Sequence, residues 1–191
     1  MRNWNKYINK NKYSECQLIT SLNAYYYLTG KQYCKPDSQK YEDLVDLVCA
    51  RVGAAIDIEK VNKILGIEII WEGINLLHFG DNIPLPMEFS AWAKGYGFHS
   101  TLIVDYNKKC NAFRITNFGK KTSEDGWIFA EDLYKYEHFC FERDYETYQL
   151  YGLKGDKKND AIKKEWKKDR NEWFKTYRRK YINKCKKLGI K

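Results

Sequence analysis

The spacing of apolar residues changes once along this 191-residue chain, and that change limits what the chain can fold into. Up to Gly66 the apolar positions recur every three to four residues, the period of a helix with one buried face. From Ile67 onward they alternate, the period of a strand. Leu18, Ile19, Leu22, Tyr25, Tyr26 and Leu28 predict a first helix. It begins at Ser14-Glu-Cys-Gln17, which matches a capping box with Ser14 as N-cap, and stops at Gly30. A second helix is expected over 38–51, with Tyr41, Leu44, Val45, Val48 and Val52 inward and Gly53 at its end. A third is expected over 57–65, capped by Asp57 and closed by Gly66. Strands are expected at 67–71, 74–79, 87–93, 99–106, 111–117 and 136–145. Helices first and an antiparallel meander afterwards predict an α+β fold.

Composition narrows the class. Hydrophobic residues at 43% and aromatics at 16% are too many for a disordered chain. No apolar run is long enough to span a bilayer, so no membrane association is expected. The first residues, Met1-Arg-Asn-Trp-Asn-Lys-Tyr7, lack the apolar stretch of a secretory signal. None of the six cysteines has CxxC spacing, so neither a zinc site nor a disulfide framework is expected, and no cofactor.

Charge divides the chain. Sixteen Lys/Arg and five Asp/Glu lie from Leu153 onward, a net of +11. The preceding residues hold the other 18 basic and 20 acidic side chains, a net of −2. The expected organisation is a body over 1–152 and a basic tail over 153–191. Ile162, Trp166, Trp173, Tyr177, Tyr181, Cys185 and Leu188 follow helical spacing and predict one long amphipathic helix. Its aromatic stripe docks on the body, or its basic faces bind nucleic acid or an acidic surface of a larger assembly.

Cys16 falls near the start of the first helix, where free backbone N–H groups and the helix dipole favour a thiolate. Cys49 lies in the apolar stripe of the second helix; Cys34, Cys110 and Cys140 fall in a loop, a turn and a strand. A nucleophilic thiol needs a base. His78 and His138 sit between apolar neighbours, whereas His99 opens the run Ser-Thr-Leu-Ile-Val-Asp-Tyr106. If Tyr106 and Asn111 flank a four-residue turn, His99 faces position 118, and a shift of one residue brings it opposite Asn117. Directly opposed Cβ atoms are about 5 Å apart, so an Asn117 amide could reach the imidazole. Cysteine at a helix start, histidine at a strand start and asparagine on the next strand form a triad arrangement.

Three stretches in this order resemble the papain-like cysteine peptidases, in particular the compact C39-like members of bacteria and viruses. Glu15-Cys16-Gln-Leu-Ile-Thr-Ser-Leu-Asn-Ala-Tyr-Tyr-Tyr-Leu-Thr-Gly30 resembles the nucleophile helix, and His99-Ser-Thr-Leu-Ile-Val-Asp-Tyr106 the histidine strand. Phe113-Arg-Ile-Thr-Asn117-Phe-Gly119, followed by Gly126-Trp127-Ile and Glu131-Asp-Leu133, resembles the asparagine segment. The likeness spans about 13–140 and implies a nucleophile helix packed on an antiparallel sheet. It implies a thiol hydrolase, foremost a cysteine peptidase acting on a protein or peptide, with catalytic Cys16, His99 and Asn117. Isopeptidases, deamidases and acyltransferases share that triad. It also implies that Trp127 shields the His99–Asn117 pair.

Two positions depart from the family pattern. Lys10 stands where members carry an oxyanion-binding Gln, leaving Asn11 or Asn9 as the nearest amides, and Cys16 is followed by Gln17 instead of Gly or Ala. The alternative is therefore a weak or inactive papain-like scaffold, anchored by its tail to an anionic partner. The expected location is the cytoplasm, or a virion if the gene belongs to a phage; the wealth of Lys, Asn, Tyr and Ile suits an A/T-rich genome.

Overall fold

The computed structural model describes residues 2–48, 50–52, 57–73, 82–93, 97–119, 122–133 and 146–164. The chain forms two compact units, 1–154 and 155–191. In the second, residues 157–164 are helical, and the Asp156 carboxylate accepts from Lys158 N–H at 3.0 Å. The rest of the expected tail helix lies outside the described residues.

The first unit is α+β. Helices α1 (Cys16–Thr29), α2 (Gln39–Leu47) and α3 (Ile58–Leu65) precede a six-stranded antiparallel sheet. Its strands are β1 (Ile67–Gly73), β2 (Met87–Ala93), β3 (Gly97–Asn107), β4 (Ala112–Thr116), β5 (Trp127–Phe129) and β6 (Glu146–Leu153). They are ordered β1-β6-β2-β3-β4-β5. The sheet is not the plain meander that the order of strands suggests: β6 is inserted between β1 and β2, pairing Tyr148 with Phe89 on one side and with Gly73 on the other. The expected strands at 74–79 and 136–145 lie outside the described residues. Strands β5 and β6 were not expected. Among the described residues, no helix is long and apolar enough to cross a membrane.

Helix α3 has the expected ends. The Asp57 carboxylate accepts from Lys60 N–H, and Gly66 closes the helix at φ 67°. Helix α2 is capped by Ser38, which accepts from Tyr41 N–H, and it stops at Leu47, short of the predicted end. Helix α1 starts differently from the prediction. Glu15, not Ser14, is the N-cap, and Cys16 is the first helical residue. The Glu15 carboxylate is fully buried and reaches backwards, accepting from Lys12 N–H at 2.7 Å, Tyr13 N–H at 2.6 Å and Tyr41 Oη at 3.0 Å. A carboxylate with three donors holds the turn before the helix more firmly than a serine hydroxyl can.

Helix α1 is buried nearly all round between the sheet and α3. Leu18, Ile19 and Leu22 each contribute ~1.5–3 kcal/mol by leaving water. Thr20, Ser21 and Asn23 are buried with them, and each finds a partner that offsets its desolvation. Asn23 accepts from Ile8 N–H at 2.8 Å and donates to Ile8 O at 2.9 Å and to Thr116 Oγ1 at 3.0 Å. It thereby pins the chain entering α1 to the end of β4. The opposite sheet face buries Met87, Phe89, Ile103, Tyr148 and Leu150, with Phe89 stacked on Tyr148 at 5.1 Å.

Candidate active site

Three segments meet where α1 begins: the chain before the helix, the start of β3 and the end of β4. As the first residue of α1, Cys16 sits beside N–H groups that have no partner one turn earlier. Its half-buried sulfur lies in hydrogen-bonding reach of the N–H groups of Ser100, Gln17 and Cys16 itself. Burial pushes the thiol up nonetheless, and the Glu88 charge adds to it, while those three N–H groups pull the other way and lose. The expected thiolate-favouring start of the helix is thus overridden. A helix terminus lowers a thiol's pKa only where water still reaches the sulfur.

His99 stands next to Ser100 on β3. By strand alternation its Cβ leaves the opposite face from Ser100, whose hydroxyl points at Thr20 of α1. The imidazole turns to the end of β4, where Nε2 lies 2.8 Å from the main-chain oxygen of Asn117. A carbonyl only accepts, so Nε2 carries the proton and Nδ1 is left as the basic nitrogen.

The orienting group is therefore the backbone of Asn117, where the sequence suggested its amide. Two features explain the change. The pairs Leu102–Thr116 and Ile103–Ile115 lie one residue from the predicted register, in the direction away from a His99–Asn117 pair, and the offset grows to two residues at Asp105–Arg114. Strand β4 then stops at Thr116, and Asn117 adopts φ 56°, a left-handed conformation that asparagine tolerates. That turn presents its oxygen to His99 and sends its amide elsewhere. Asn117 Nδ2 donates to Asn11 Oδ1 at 2.5 Å, and Asn117 N–H donates to Asn9 Oδ1 at 3.1 Å.

Asn11, the candidate oxyanion donor, thus has its oxygen committed to Asn117, and its Nδ2 hydrogens are the donors it can offer. Lys10 between the two asparagines is exposed. Trp127 pairs with Arg114 across β4–β5, and Arg114 lies between the rings of Trp4, at 4.4 Å, and Trp127, at 5.7 Å. Gly126 makes room for this stack: at φ 87°, a Cβ there would fall 2.1 Å from Trp4. His78, His138, Cys49, Cys140 and Cys185 lie outside the described residues. Cys110 is exposed, and burial pushes Cys34 up to about 11.

Sequence reasoning missed three residues here: Glu15, Glu88 and Ser100. Glu88, Ser90 and Ser100 fall at every second position of their strands, which reads as a solvent face, yet that face is the one α1 covers. In comparisons with known proteins, no family model, no curated protein and no solved structure matched the chain.

Proposed function

We propose that the chain is a thiol hydrolase of papain-like type, foremost a cysteine peptidase, with Cys16 as nucleophile and His99 as base. One observation carries this reading. Cys16 heads α1 where the N–H of Ser100 acts on its thiol, and His99, the neighbouring residue on β3, has Nε2 tied to the Asn117 oxygen, so the ring nitrogen able to accept a proton is Nδ1. Cys16 Sγ attacks the substrate carbonyl as His99 Nδ1 takes its proton, a coupled step that suits a thiol pushed up by burial. The Cys16 N–H, at the head of α1, stabilises the oxyanion. His99 then returns the proton to the leaving amine, and a water molecule deprotonated by the same nitrogen releases the acid from the sulfur.

The test uses the full chain with a denatured protein substrate and a peptidyl chloromethyl ketone. The expected result is cleavage, one alkyl adduct at Cys16, and loss of both in Cys16→Ala. Cleavage that survives Cys16→Ala, or an inhibitor that never marks Cys16, would remove the enzyme reading. A second reading is supported by the raised thiol and by Lys10 in the place of an oxyanion amide. In it the chain is a silent papain-like scaffold whose tail, with a net +11 from Leu153 onward, anchors it to nucleic acid or to an acidic surface. Absence of cleavage together with salt-sensitive DNA binding would select it.

A further inference from the structure

The oxygen that holds His99 belongs to a residue in an unusual conformation. Asn117 is 5% exposed and sits at φ 56°, which few residues other than glycine adopt and which persists only where the surroundings over-determine it. Asn111, at φ 49°, lies in the β3–β4 turn, where such a backbone is ordinary. Its side-chain oxygen accepts from Tyr106 Oη of the same hairpin at 2.9 Å. Asn117 is held from much further away. Its N–H donates to Asn9 Oδ1 at 3.1 Å and its Nδ2 donates to Asn11 Oδ1 at 2.5 Å, partners 108 and 106 residues distant along the chain.

These two bonds grip different parts of the residue. A peptide unit is planar, so the Asn9 bond fixes the plane that ends at the Asn117 nitrogen. The Asn11 bond fixes the side chain on the same Cα. With both held, the rotation about N–Cα is set, and the carbonyl that follows has one torsion left with which to meet His99 Nε2 at 2.8 Å. The chain that carries Asn9 and Asn11 is itself anchored at both ends. Ile8 exchanges two bonds with Asn23, whose amide also reaches Thr116, the neighbour of Asn117. On the other side, the Glu15 carboxylate accepts from Lys12 N–H. The segment between these anchors therefore lies in one place against the end of β4.

We propose that Asn9 and Asn11 are positioning residues for the base: through Asn117 they set the direction of the main-chain oxygen that holds His99 Nε2. This rests on the reading of His99 as that base. Asn9 is the principal holder, because its bond is to the main chain of the residue whose oxygen meets the ring, whereas Asn11 acts through the side chain. A held Nε2 proton fixes the tautomer and the plane of the imidazole, both of which a base must have settled before a proton moves. The segment ahead of the nucleophile thereby reaches the base by way of the end of β4.

The experiment is Asn9→Leu and Asn9→Asp in the full chain labelled with 15N-histidine. It reads exchange of the His99 Nε2 proton with water, the His99 signal being the one lost in His99→Gln. Asn9 is exposed, so neither change opens a cavity, and aspartate keeps the Oδ1 acceptor. Asn9→Leu should speed the exchange roughly three- to tenfold, the loosening that one hydrogen bond accounts for, and Asn9→Asp should leave it within about twofold. Unchanged exchange in Asn9→Leu, or equal acceleration in both variants, overturns the proposal. Should Asn9→Leu fail to fold, the unaltered protein decides. Asn117 N–H and His99 Nε2–H should then lose protection at the same denaturant concentration, and separate openings overturn it. No substrate enters these measurements, so the two failures are distinguishable. Exchange that responds to Asn9 in a chain that cleaves nothing leaves the coupling standing without the peptidase, whereas cleavage with unresponsive exchange removes the coupling alone.

Discussion

Two polar clusters flank the start of β3, built from similar side chains and put to different uses. On the α1 side, Thr20, Ser21, Asn62, Glu88, Ser90, Ser100 and Tyr151 are sealed, each at most 5% exposed. At the open end, Asn117 bonds His99, Asn9 and Asn11, and His99 and Asn11 are half-exposed. The sealed cluster turns hydrogen bonds into fixed position, since a buried donor has no water to fall back on. The open cluster holds its imidazole through the main-chain oxygen of Asn117, at the edge of the fold where solvent reaches. In the proposed hydrolase, the sealed cluster would place the sulfur and the open one would move the proton.

The comparison is broken most directly at His99. With the proposed base removed, His99→Ala should lower kcat/KM by ~10²–10⁴ while the melting temperature changes little, since the ring is half-exposed. A large loss of stability with activity retained would reverse the roles of the two clusters.

Tyr151→Phe strikes the sealed side. It removes one donor from Glu88 without opening a cavity, and should cost ~1.5–3 kcal/mol in denaturant unfolding. An effect below about 0.5 kcal/mol would mean that the cluster is wetter than its burial implies.

Alkylation rates sharpen the contrast. Burial raises Cys16 and carries Cys34 to about 11, so at neutral pH iodoacetamide should mark exposed Cys110 before either. Faster labelling of Cys16 would show that the imidazole already holds its proton. The sign for stability follows. A thiol whose folded pKa is raised contributes stability that is fully present below its ordinary value of 9.0 and is lost as pH rises through the folded value. Unfolding midpoints should therefore fall above pH 9, and less steeply in Cys34→Ala.

The smallest effect separates backbone from side chain at one residue. Because the Asn117 oxygen that meets His99 is main-chain, and because φ 56° suits glycine, Asn117→Gly should keep the imidazole oriented. It gives up the amide bond to Asn11, worth ~1 kcal/mol, so kcat/KM should fall less than tenfold. A hundredfold loss in a stable variant would restore the amide as the orienting group.

Much of this architecture was legible in the residues. The helical period through Leu18, Leu22 and Tyr26, the Asp57 cap and the turns at Gly30 and Gly66 are local signals, and α1, α3 and β2 lie close to where they point. The run from His99 to Tyr106 was equally plain, and so was a cysteine at a helix start. These features depend on neighbours within a turn or two, which a sequence contains in full. Glu15 as the cap was not legible, because a carboxylate that reaches backwards leaves no fixed spacing. The place of β6 was not legible either, since nothing in Glu146–Leu153 states that β1 and β2 will part to receive it. Tertiary structure alone decided which face of β2 and β3 meets α1. It thereby made Glu88 and Ser100 interior residues, and through burial it pushed the Cys16 thiol up where the helix start alone would pull it down. It also decided which Asn117 oxygen meets the imidazole, through a one-residue register shift and one positive φ. The physical reason is the same throughout. Spacing along the chain sets which residues share a face, whereas burial and charge depend on what arrives from far along the chain to cover that face.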